Sequence, residues 1–175
     1  MRYIALLRGI NVGGNTMIKM AELKASFESL GLENVVSYVN SGNLAFDAKR
    51  TAEATLVKKL EDVIERDFGK TIPVMIREQT EIPRIIAANP FAGEFESHKE
   101  MHVLFLREDM PADKMQQLLV ATPSGERYHA IGRELYCHLP MGVADSLLGR
   151  SFVEKKLKLA VTGRNWRTVE KLAEL

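Results

Sequence analysis

The sequence predicts an α+β chain made of two successive βαββαβ units with mostly antiparallel sheets. Two observations carry this reading. Apolar residues alternate between short continuous runs and three- and four-residue spacing, in the order strand, helix, strand, strand, helix, strand. The same order then begins again, and its leading run Tyr3-Ile4-Ala5-Leu6-Leu7-Arg8 has a counterpart in His102-Val103-Leu104-Phe105-Leu106-Arg107.

In the first unit, Tyr3 to Leu7 reads as a buried strand. The stretch Gly9-Ile10-Asn11-Val12-Gly13-Gly14-Asn15 must be a loop. Met20, Leu23, Phe27 and Leu30 form the stripe of a helix, with Gly31 where a C-terminal cap belongs. Val35 to Val39 and Leu44 to Phe46 are strands joined by Asn40-Ser41-Gly42-Asn43, which has tight-turn chemistry. Leu56, Leu60, Val63 and Ile64 mark a second helix stopped by Gly69, and Thr71 to Arg77 closes the unit as a strand. A short helix follows over Thr80 to Ala88, ended by Asn89-Pro90, because the residue before proline disfavours helical geometry.

In the second unit, Met101 to Leu106 is a strand and Ala112 to Ala121 a helix. Arg127 to Ile131 and Glu134 to Leu139 pair across Gly132-Arg133. Ser151 to Lys158 is expected to be a helix opened by a capping box, Ser151-x-x-Glu154. Leu159 to Thr162 is a short last strand. A closing helix starts near Arg164 and turns Trp166, Val169 and Leu172 inward. The expected division is 1–77, a linker with a short helix at 78–100, a second unit at 101–162 and a terminal helix at 163–175. A βαββαβ unit is the split βαβ, or ferredoxin-like, arrangement, here expected in duplicate.

Composition narrows the function classes. Of 175 residues, 46% are hydrophobic and 27% charged, which excludes a disordered or collagenous chain. A single cysteine, Cys137, excludes an intramolecular disulfide and a multi-cysteine zinc site. No apolar run approaches the roughly 18 residues of a membrane span. With a lone thiol and no secretion signal, the expected compartment is the cytoplasm. Net charge is +1, which argues against a body that attracts nucleic acid over its whole surface. The segment from Arg150 to Lys171 nevertheless holds seven basic and two acidic residues.

The topology indicates where a site belongs. In a split βαβ unit the end of the first strand and the turn between the second and third share one edge. That edge collects Arg8, the loop with Gly9, Asn11, Gly13, Gly14 and Asn15, and the turn with Asn40, Ser41 and Asn43. Glycines let backbone N–H groups approach an anion, and a guanidinium forks onto phosphate or carboxylate. Thr16 adds a hydroxyl and Lys19 stands where the first helix begins, whose N-terminus favours negative charge. The loop has neither the GxxxxGK[ST] order of a P-loop nor the GxGxxG spacing of a dinucleotide fingerprint, so no cofactor is expected.

Other constellations point elsewhere. His98 and His102 are four apart, but His102 opens a strand, where that spacing does not make a metal pair, so no metal is expected. His129 and His138 fall on paired strands and can both face outward. Cys137 sits mid-strand as a buried thiol.

Four segments together, Leu6 to Gly14, Tyr38 to Asn43, Asn89-Pro90-Phe91 and Thr162 to Val169, resemble the hallmarks of the bacterial domain-of-unknown-function family 1697. Both Ser-Gly-Asn and Thr-x-Arg-Asn-Trp are present. The resemblance implies two ferredoxin-like parts and implies no activity. Arg164 and Asn165, from the last segment, are expected to face the glycine loop and complete one polar site.

The leading expectation is binding of an anionic, phosphate-bearing partner, a nucleotide or nucleic acid. A second reading places a hydrolase or transferase at the same edge, using Ser41 or a histidine from the second half. A third makes the polar segments a structural or assembly device without a ligand.

Overall fold

A computed structural model describes residues 1–14 and 16–175. The chain divides into two compact units, Met1–Pro83 with Leu172–Leu175, and Arg84–Lys171.

The first unit runs β1 (Arg2–Leu7), α1 (Met20–Glu28), β2 (Glu33–Tyr38), β3 (Asn43–Asp47), α2 (Glu53–Phe68) and β4 (Val74–Glu78). A 3-10 turn, Gln79–Glu81, leads into α3 (Ile82–Ala87). The sheet order is β2-β3-β1-β4, and every neighbouring pair is antiparallel. This is the ferredoxin-like order. Strand β1 is central and buried from Tyr3 to Leu7, which is why it reads as a continuous apolar run rather than an alternation. Tyr3, Ala5, Leu7, Leu44, Phe46, Val74 and Ile76 form one sheet face. They pack with Leu23 and Phe27 of α1 and with Leu56, Leu60, Val63 and Ile64 of α2. Phe27 meets Phe46 edge to face at 5.7 Å. Gly69 ends α2 in the left-handed region, at φ 64°. The last residues are tied into this unit: Arg2 Nε donates to the Leu175 carbonyl and Gln79 Nε2 to that of Ala173, both at 2.6 Å.

The second unit runs β5 (Met101–Leu106), α4 (Ala112–Ala121), β6 (Arg127–Ile131), β7 (Glu134–His138), α5 (Phe152–Lys155), β8 (Val161–Asn165) and α6 (Trp166–Leu172). Its order is β6-β7-β5-β8, again wholly antiparallel. Leu104, Leu106, Leu135, Cys137 and Val161 share a core with Leu118 of α4 and Val153 of α5.

The registers of the two sheets correspond. Ile4 lies opposite Ala45 and Arg77, and Val103 lies opposite Tyr136 and Arg164. Leu7 N donates to the Gly42 carbonyl, and Leu106 N to that of Arg133, each at 2.8 Å. The match of Tyr3–Arg8 with His102–Arg107 is therefore a match of structural position.

Several expectations need correction. β4 begins at Val74, not Thr71, because Pro73 has no N–H to give a ladder; its carbonyl accepts from Arg8 N at 3.0 Å. The helix expected over Ser151 to Lys158 is only Phe152–Lys155. Ser151 sits at φ 58°, away from the extended geometry an N-cap requires, and its side chain makes no capping bond. Lys158, at φ 57°, turns the chain away after it. A capping box does form, at Glu78 and Glu81. The last strand runs through Asn165, so Arg164 belongs to β8 and the closing helix starts at Trp166. His138 is buried rather than outward, while His129 is exposed. Among the described residues no helix is long and apolar enough to cross a membrane.

Candidate functional site

The end of β1 and the turn between β2 and β3 meet at one edge of the first sheet. Leu6 lies opposite Asn43, and Leu7 N reaches the Gly42 carbonyl. Gly42 is required there: its φ is 88°, and a Cβ would stand 2.8 Å from Cβ of Leu7.

Asn11 joins the loop to the turn. Its Nδ2 donates to the Asn40 carbonyl at 2.7 Å and to the Ile18 carbonyl at 2.9 Å. Its Oδ1 accepts from Ile18 N at 2.8 Å, and its own N–H donates to the Thr16 carbonyl at 3.1 Å. Asn43 is fully buried and works inside the turn, donating to the Tyr38 carbonyl at 3.0 Å and to Ser41 Oγ at 3.1 Å. These asparagines shape the edge, and their amides are engaged internally.

Arg8 leaves the end of β1 half-buried. Among the described residues its guanidinium makes no hydrogen bond or ion pair, and the amides of Gly9, Gly13 and Gly14 donate no hydrogen bond. All three glycines are exposed and have positive φ. Lys19 is exposed at the start of α1, which has no side-chain cap on its first amides. Asn40 is exposed and Ser41 half-buried. Asn15 lies outside the described residues.

The backbone of this edge is strained. Thr16 and Val39, both β-branched, lie at φ 48° and 50°, where such residues are rare. The sequence predicts a strand through Val39, whereas β2 ends at Tyr38 and Val39 is left-handed. The following Asn-Ser-Gly-Asn turn explains it only in retrospect.

In the second unit, Arg164 and Asn165 serve local roles. Arg164 is buried on β8; its Nη1 donates to Thr162 Oγ1 and to the Gly163 carbonyl, each at 2.7 Å. Burial lowers its pKa to about 10, so it stays cationic at neutral pH. Asn165 Oδ1 accepts from Thr168 N at 3.0 Å, capping α6. Trp166 is a buried anchor whose Nε1 donates to Glu170 at 3.1 Å. In the motif Asn89-Pro90-Phe91, Asn89 Oδ1 accepts from Phe91 N at 3.0 Å. The Phe91 ring stacks on His138 at 5.7 Å and lies 4.6 Å beneath the Arg127 guanidinium. The described residues contain no group of three or more His, Cys, Asp or Glu able to hold a metal.

Comparison with known proteins fits this architecture. The family model described as a protein of unknown function, DUF1697, matches residues 1–136. The chain belongs to the DUF1697 family. The match includes the Arg8 loop, the Asn40–Asn43 turn and Asn89-Pro90-Phe91, and ends before β8. Among solved structures, this DUF1697 chain is similar to a conserved bacterial protein from Streptococcus pneumoniae. The two are 25% identical with a TM-score of 0.77, over 99% of this chain and 97% of the other. No curated protein matches the chain.

Proposed function

We propose that the chain binds an anionic, phosphate-bearing ligand at the β1 edge of its first unit. The observation that carries this is Arg8, a half-buried residue whose guanidinium makes no hydrogen bond or ion pair among the described residues, followed in the chain by the exposed loop that holds Gly9, Gly13 and Gly14. A guanidinium without an internal partner is open to an arriving phosphate, which would supply a bidentate partner. Asn11 and Asn43 hold the frame rather than the ligand, and Lys19 adds positive charge. The cytoplasm is the compartment we infer, since Cys137 is an unpaired, buried thiol. The corresponding registers of the two sheets support descent of both units from one βαββαβ ancestor.

Calorimetric titration with inorganic pyrophosphate tests the reading. Arg8→Ala should weaken binding at least about tenfold, the value of one charge-assisted pair. Unchanged affinity would remove Arg8 from the site.

One observation favours a second, structural reading of the polar residues: the side-chain bonds of Asn11 and Asn43 run within the protein. On that reading Arg8→Ala and Asn43→Ala both lower the melting temperature markedly, and no anion raises it.

A further inference from the structure

A cavity of about 640 Å³ lies at the end of the first sheet opposite to Arg8. The ladder delivers its wall. Asp47 at the end of β3 lies opposite both Arg2 and Glu33, and Ala48 N then donates to the Met1 carbonyl at 3.0 Å. The connection from α1 to β2, residues 30–32, and the first turns of α2 complete it. Leu30, Leu32, Ala48 and Leu56 supply an aliphatic floor that is continuous with the core of the unit. Lys49 and Lys59 line the same cavity and are exposed; their side chains make no hydrogen bond or ion pair among the described residues. Two carboxylates share the wall. That of Asp47 is answered by Arg2 at 3.0 Å and Asn34 at 2.7 Å, which leaves Glu33 as the countercharge to two ammonium groups.

We propose that this cavity binds an aliphatic carboxylate, its chain on the leucine and alanine floor and its head at the wall that carries Lys49 and Lys59. The inference goes beyond the anion reading above and uses none of that edge's residues. The volume falls within the roughly 300–1,000 Å³ typical of small-molecule sites. The lining selects the chemistry. Among the described residues no aromatic ring lines the cavity, so a flat base has no ring to stack on. No arginine lines it either, so the charge on offer is two separate ammonium groups rather than a planar fork. An aliphatic floor favours a flexible hydrocarbon chain, which displaces water from apolar surface. The excess of one positive charge in the wall complements a single carboxylate.

The experiment titrates the full chain with hexanoate, octanoate and decanoate, and with decanol as the uncharged chain. Affinity should rise by up to about tenfold for each added pair of methylenes. The double variant Lys49→Gln/Lys59→Gln should weaken decanoate about fivefold and leave decanol unchanged. Glu33→Gln should tighten decanoate and also leave decanol unchanged. All three side chains are exposed, so these variants keep the fold. Arg8→Ala should leave decanoate binding intact, which separates this cavity from the pyrophosphate edge. The proposal is overturned if decanoate fails to bind, or binds no more tightly than hexanoate. Unchanged decanoate affinity in the double lysine variant overturns it too, and so does loss of decanoate binding in Arg8→Ala, which moves the ligand to the other edge. Binding to phosphatidylglycerol vesicles without binding to free decanoate assigns the wall to a membrane surface and overturns the proposal as well.

Discussion

The side-chain amide of Asn11 donates to the backbone carbonyl of Asn40 at 2.7 Å across 29 residues of sequence. This bond fastens the glycine loop to the turn between β2 and β3, and the same amide group holds Ile18 from both its nitrogen and its oxygen. One asparagine thus sets the spacing between the loop amides and the turn. Its φ of 53° is one that asparagine tolerates better than most residues.

Asn11→Ala should therefore cost about 2–3 kcal/mol in urea unfolding, since it leaves the Ile18 N–H and two carbonyls without their partner. Hydrogen exchange at the Ile18 amide should accelerate more than at β1. A loss below about 0.5 kcal/mol would show that water replaces the junction freely.

Gly42→Ala should be more damaging than its small volume suggests. The added methyl meets Leu7 Cβ at 2.8 Å and forces a positive φ of 88° on a residue with a side chain. A loss of about 2–4 kcal/mol is expected, read as a lower urea midpoint at unchanged slope. Gly69→Ala, at an open position with φ 64°, should cost less, about 1 kcal/mol.

His102 should make stability pH-dependent. Burial, reinforced by the neighbouring His98, lowers its pKa from 6.5 to about 4. The folded state therefore holds His102 neutral, while the unfolded chain takes up its proton below about 6.5. Stability from this group is present above that pH and is lost as pH falls towards 4, by at most about 3 kcal/mol. His102→Gln should flatten the dependence of the urea midpoint between pH 6.5 and 4, relative to wild type. Parallel curves for the two proteins would rule the effect out.

Cys137 should be silent towards thiol reagents in the native state. It is fully buried on β7, and desolvation pushes its thiol pKa up, so little thiolate exists to react. Labelling should follow the unfolding transition in urea. Fast labelling in native buffer would mean that the second sheet opens locally.

The element order and sheet topology were legible in the sequence because they follow from local periodicity. Tyr3 to Leu7 could only be a buried strand, and Leu56, Leu60, Val63 and Ile64 only one face of a helix. Repetition of that order after Asn89-Pro90 predicts two ferredoxin-like units, and the corresponding register of Arg77 and Arg164 is its structural counterpart. The family resemblance, too, was legible in short motifs.

Tertiary structure alone decided which polar groups are occupied. Nothing local distinguishes Asn11, bonded into the frame, from Arg8, which the described structure leaves unpaired. Arg164 reads as the start of a basic helix, yet the pairing of β8 with β5 carries it into a buried strand. Val39 reads as a strand residue, yet the turn drives it left-handed and outward. The physical reason is common to all of these. Periodicity is a property of neighbours a few residues apart, whereas a hydrogen-bond partner is assigned by strand register between distant segments.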